Sequence, residues 1–205
     1  MKTIADRPVV RGLPVPYVAR WTGEHANESY RVAAMNDGQQ FIRYAQETPF
    51  DRDKRGVLWM REYPMNNGTG VPEFGEVSSY RQRHCMENKC CQVCGETVVS
   101  PFRFLMIPVQ MMMFEQTNGQ TENPPVCEAC AEAAPQWCPA IKKGGFSTVL
   151  AEDFEPCSYL GEVAFYREDD NQFRRMMSVA FDRKALLAVT LARQLSVQLK
   201  EYRTL

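Results

Sequence analysis

Two Cys-x-x-Cys pairs, Cys91-Gln92-Val93-Cys94 and Cys127-Glu128-Ala129-Cys130, constrain this chain more than any other feature. Tetrahedral zinc takes four soft ligands, and a Cys-x-x-Cys turn aims two thiolates at one metal. Gly95 follows the first pair and lets the backbone take positive φ in a tight knuckle. The second pair stands where the alanine-rich stretch from Cys127 to Gln136 should start a helix. The dipole at a helix N-terminus favours thiolate over thiol. Between the pairs, Thr97–Val99 and Phe102–Pro108 read as strands, and Val109–Phe114 as a third strand or a continuation. A knuckle, a β-hairpin and a ligand-bearing helix, in that order, make a treble clef. The spacing predicts one structural zinc ion on Cys91, Cys94, Cys127 and Cys130. An iron–sulfur cluster also uses four cysteines, but two separated pairs suit a single zinc better. A thioredoxin-type redox pair needs one Cys-x-x-Cys beside a βαβ pattern, and no such pattern is visible.

The chain has eight cysteines. Cys90 abuts Cys91 and offers a Cys90-x-x-x-Cys94 alternative, but the knuckle ending in Gly95 favours Cys91. Cys85, Cys138 and Cys157 follow no ligand spacing and read as buried free thiols. The N-terminal MKTIADRPVVRG carries charges where a signal peptide would need its apolar core, so the expected compartment is the cytoplasm. That compartment disfavours disulfides. No apolar run approaches the ~20 residues that span a bilayer, so no membrane association is expected.

With 205 residues and 44% hydrophobic content, the chain suits one compact α+β domain with elaborations. Residues 1–75 form a β-rich N-terminal segment, 76–145 the small treble-clef-like zinc core, and 146–205 strands followed by a C-terminal helix. Strands are expected at Phe41–Tyr44, Gly56–Tyr63, Phe146–Leu150, Gly161–Tyr166 and Met176–Phe181, with a turn at Asn66-Asn67-Gly68. Ser78 or Ser79 should cap a helix running through Tyr80–Lys89. Met111-Met112-Met113 reads as adaptable filling of a buried strand, or as a sticky surface for a partner. Glu152-Asp153 and Glu168-Asp169-Asp170 read as solvated loops. From Asp182 on, Leu187, Leu191, Leu195 and Leu199 recur every four residues, which suggests an amphipathic helix and a route to a homodimer.

A net charge of −1 argues against a whole-surface grip on nucleic acid. A local grip is available on the helix before the knuckle, where Arg81, Arg83 and His84 are the candidate partner-binding residues. Catalytic groups are sparse. HNH-type nuclease chemistry needs a histidine base between the cysteine pairs, and residues 95–126 contain no histidine. The two histidines are His25 and His84. Neither a phosphate-cradling Gly-x-x-x-x-Gly-Lys nor a Gly-x-Ser-x-Gly motif is present.

Arg81-Gln82-Arg83, Met86 and Cys91-Gln92-Val93-Cys94-Gly95 resemble the centre of an actinobacterial, Streptomyces-type family of Cys-x-x-Cys zinc-finger proteins. Pro124-Pro125-Val126-Cys127 with Cys130, Cys138-Pro139 and Gly144 resembles its second half, and Gly70-Val71-Pro72-Glu73-Phe74-Gly75 fits upstream. The resemblance covers about residues 56–150 and carries over no function. Ala140 departs from it, standing where a histidine is expected after Cys138-Pro139. The sequence therefore suggests a non-catalytic structural-zinc protein that recognises protein or nucleic acid, a regulator or accessory factor of the kind borne by phages and mobile elements. The alternatives are a degenerate or rearranged HNH-type nuclease, or a small-molecule enzyme with a purely structural zinc.

Overall fold

A computed structural model describes residues 3–26, 29–34, 38–166 and 172–205, with backbone alone at 165–166 and 172–173. The chain is mixed α+β. It opens with the short antiparallel pair β1 (Val9–Val10) and β2 (Leu13–Pro14), then β3 (Ala19–Trp21), the hairpin β4 (Tyr30–Ala34) and β5 (Gln40–Tyr44), β6 (Leu58–Trp59) and β7 (Pro72–Val77), which returns to pair with β3. Helix α1 (Ser79–Asn88) leads into the first cysteine pair. After it come β8 (Phe102–Met106), α2 (Pro108–Gln116), β9 (Gln120–Thr121), α3 (Glu128–Trp137) and α4 (Pro139–Gly144). The chain closes with β10 (Ser147–Tyr166), β11 (Gln172–Ala180), α5 (Lys184–Ala188) and β12 (Thr190–Thr204).

The main sheet runs β11-β10-β12-β6, with β8 also on β10 and β9 also on β12. Its axis is the antiparallel β10–β12 pair, in register from Val149↔Thr204 to Val163↔Thr190. Gly161 sits where a side chain would strike the Leu191 carbonyl at 2.5 Å, so the two strands close up only around a glycine. One core draws on every part of the chain: Ile42 and Leu58, then Met86 and Phe104, then Tyr159 and Leu195. Each such fully buried side chain stabilises the fold by about 1.5–3 kcal/mol. Among the described residues no helix is long and apolar enough to cross a membrane.

Several expectations change here. The C-terminal helix is β12, preceded only by the five-residue α5. A spacing of four is shared by a helix face and a strand face, because four is a multiple of the strand period of two. Long-range pairing with β10 decides between them. Leu191, Leu195 and Leu199 are buried within the sheet, so they offer no helical dimer surface. Conversely, the strand expected at Val109–Phe114 is α2: Pro108 opens it, the Gln110 side chain accepts from the Ile107 amide at 3.1 Å, and unbranched methionines suit a helix. Met112 and Met113 are exposed and fill no core. The two strands expected at Phe146–Leu150 and Gly161–Tyr166 are one 20-residue strand, β10. Pro156 is tolerated there beside a register shift between Pro156 and Ser158. Glu152 and Asp153 are exposed strand residues of β10, not a loop. Glu168-Asp169-Asp170 lies outside the described residues.

Candidate metal centre

Helix α1 delivers the first cysteine pair. Ser78 is its N-cap, accepting from the Arg81 amide, while the Glu62 carboxylate accepts from the Ser78 hydroxyl (2.6 Å) and the Ser79 amide (2.9 Å). A carboxylate there also complements the helix dipole. Lys89 ends the helix in the left-handed conformation at φ 54°, and Cys90 then bridges to Thr97. Inside that bridge the Cys91 amide donates to Glu96 O and the Gly95 amide to Cys91 O, both at 2.8 Å. Gly95 has φ 83°, and any side chain on it would meet the Tyr17 ring at 3.1 Å. The knuckle thus needs glycine on two counts.

The second pair arrives on α3, with Cys127 as its N-cap residue and Cys130 within its first turn. The two halves are tied directly. The Gln92 amide donates to Pro125 O (2.9 Å) and the Gln92 side chain to Pro124 O (3.0 Å). From the N-terminal segment, the Tyr17 and Val18 amides donate to Val93 O and Gln92 O, at 2.8 and 3.1 Å. The segment joining the halves is β8–α2–β9, in which β8 pairs with β10 and β9 with β12. The simple hairpin expected between knuckle and helix is replaced by these longer connections into the main sheet.

The sulfurs of Cys91, Cys94, Cys127 and Cys130 all lie within 4.8 Å of one another, and those of Cys94 and Cys127 are 3.8 Å apart. Zinc–sulfur bonds of ~2.3 Å require sulfurs about 4 Å apart, so this cluster can hold a metal ion. The thiols of Cys91, Cys94 and Cys130 perturb one another. The Cys91 thiol is pushed down by the hydrogen bond from Cys130 and by backbone amides, Val93 among them at 3.4 Å. Cys94 is pushed up, first by burial and then by its neighbours' charge. Cys130 is pushed up by its bond to Cys91 and by burial.

The other thiols stand apart from the four. Cys85 points to Cys91 O at 3.8 Å, Cys90 to Asn88 O at 3.5 Å and Cys157 to Ser196 O at 3.6 Å. Cys138 is the residue between α3 and α4.

The expected partner-binding helix face is not a free cationic surface. Arg81 is buried, 2% exposed. Its guanidinium makes a two-pronged ion pair with fully buried Glu24, and also donates to Tyr17 O (2.6 Å) and Ala19 O (2.7 Å). The Arg81 side of α1 packs inward. Arg83 is half-buried, with its guanidinium 4.4 Å from the Trp59 ring centroid. His84 lies against Tyr17, and its Nε2 is 4.0 Å from Cys90 Sγ. His25 bonds Glu73 at 2.6 Å. Glu24, the partner that fixes Arg81, carries no signal in the sequence beyond its type.

Comparison with known proteins brings no assignment: no protein-family model matches the chain, and no curated protein or solved structure matches it significantly. The fold and the four-cysteine cluster define it as a mixed α+β protein with a candidate metal centre.

Proposed function

We propose that Cys91, Cys94, Cys127 and Cys130 hold one structural zinc ion, and that the chain is a non-catalytic binding protein, a regulator or accessory factor whose partner is protein or nucleic acid. The observation that carries this reading is the convergence of four sulfurs from two distant segments to within 4.8 Å. All four ligand positions are filled by cysteine, which is the closed arrangement of structural zinc rather than the open one of catalytic zinc. A knuckle followed by a ligand-bearing helix supports a treble-clef-like core, elaborated by the β8–α2–β9 insertion. Eight cysteines outside any disulfide suit a reducing compartment such as the cytoplasm. Both histidines are engaged away from the four sulfurs, which leaves the HNH-type reading without specific support.

Freshly reduced protein should carry about one zinc per chain by elemental analysis. Cys127→Ser should lose the metal and unfold, whereas Cys157→Ser should retain both metal and fold. Plasmid DNA incubated with the protein and divalent cations should stay intact. Iron in place of zinc, equal damage from the two substitutions, or protein-dependent cleavage would each contradict the reading.

A further inference from the structure

A cleft of about 900 Å³ lies between the β4–β5 hairpin, the turn at Arg52–Gly56 and the stretch from Phe181 into α5. That volume is within the range of small-ligand sites. None of the four metal-site cysteines lines it. Arg43, Arg52, Arg55 and Lys184 line it, against Glu47 as the one acidic lining residue among those described. Arg52 is neutralised by Glu47, at 2.6 and 2.9 Å. Asp53, next to Arg55 in sequence, accepts from the Tyr159 hydroxyl and from the Arg55 and Val57 amides at 2.9 and 3.1 Å. The Arg55 guanidinium lies 3.8 Å from the Phe181 ring centroid. Arg43 and Lys184 are exposed, and among the described residues neither has an ion-pair partner.

The hairpin adds an independent observation. In the β4–β5 register Arg31 stands directly opposite Arg43, with both side chains exposed. Like charges directly opposite on one sheet face repel and destabilise the pair. A chain of net charge −1 thus lines one cleft with Arg43, Arg55 and Lys184, and sets Arg31 opposite Arg43 at a cost to its own hairpin. Guanidinium groups match phosphate oxygens in two-pronged fashion, and an anion between opposed arginines removes their repulsion. Phe41 on the same strand face as Arg43, and the Arg55–Phe181 stack, add planar faces on which a base can rest.

We infer that this cleft binds a nucleotide phosphate with its base, either as a free nucleotide or within a single strand. The inference rests on the reading of the chain as a binding protein, and names its partner's chemistry, but does not depend on the metal.

The test titrates wild-type protein and the Arg43→Ala/Lys184→Ala double variant, by fluorescence anisotropy, with a labelled single-stranded oligonucleotide, and repeats it with ATP and AMP as competitors. Wild type should bind. The double variant should bind at least about tenfold more weakly, and its plot of log affinity against log salt should be shallower by about 1.4, the counterions of two lost single-strand phosphate contacts. Strand binding that mononucleotides compete poorly identifies a strand as the ligand. Mononucleotide binding without strand binding identifies a free nucleotide. Arg43→Ala alone should raise the melting temperature, because it removes the charge facing Arg31. No binding of either probe, affinity unchanged in the double variant, or a lower melting temperature for Arg43→Ala would overturn the inference. Absence of binding with zinc retained would leave the metal reading intact. Cleavage of a bound strand would uphold the site and refute the non-catalytic reading.

Discussion

Arg81 shows what a single residue contributes and what a sequence conceals. Its charge is out of water, and the fold tolerates this because Glu24 and two carbonyls occupy the guanidinium. Removing one partner of a buried pair leaves the other charged and uncompensated, at a cost of about 3–5 kcal/mol. Arg81→Ala should therefore lower unfolding stability by that amount in denaturant titration. The double variant Arg81→Ala/Glu24→Ala should lose less than the two single losses added together. A loss for Arg81→Ala below about 1 kcal/mol, the range of surface pairs, would show that the pair is not structural. The four cysteines were legible because metal geometry imposes both residue type and spacing. Arg81 was not, because its partner lies far away in the chain and no periodicity points to it. The opposition of Arg31 and Arg43 was not legible, because it depends on the β4–β5 register, and of that hairpin only Phe41–Tyr44 was expected as a strand.

At the scale of elements, Gln82 hydrogen-bonds α1 to the sheet. The Gln82 amide nitrogen donates to Glu122 O (2.8 Å) and Leu195 O (2.9 Å), and its oxygen accepts from the Leu195 amide (2.9 Å). Gln82 is fully buried, so it acts as a substitute for a neighbouring strand along part of β12. Gln82→Leu preserves much of the volume but strands those backbone groups, each at about 1–3 kcal/mol. The expected loss is on the order of 3 kcal/mol by chemical denaturation, with metal retained. A neutral substitution would mean that β12 is held by β10, β6 and β9 without help from Gln82. The cap of α1 was readable, since the Ser78 side chain accepts from the Arg81 amide as its type suggests. Identity of the C-terminal element was not readable. Its leucines fit two periods equally, and only pairing with β10, itself carried through Pro156 by a register shift, selects the strand.

At the scale of the molecule, the three stretches suggested by composition share one core. β6 from the first pairs with β12 from the last, α1 is bonded to β12, and β8 pairs with β10. The four clustered cysteines belong to or pack against that same core. Metal affinity should therefore appear as stability of the whole fold, since ligands dispersed in the unfolded chain bind no closed site. The central claim is that the cluster is a closed four-sulfur zinc site. Zinc K-edge X-ray absorption on the purified, reduced protein tests it most directly: a closed four-cysteine zinc site gives a single shell of about four sulfurs at ~2.3 Å. A shell containing nitrogen or oxygen, or a metal edge other than zinc, would contradict it.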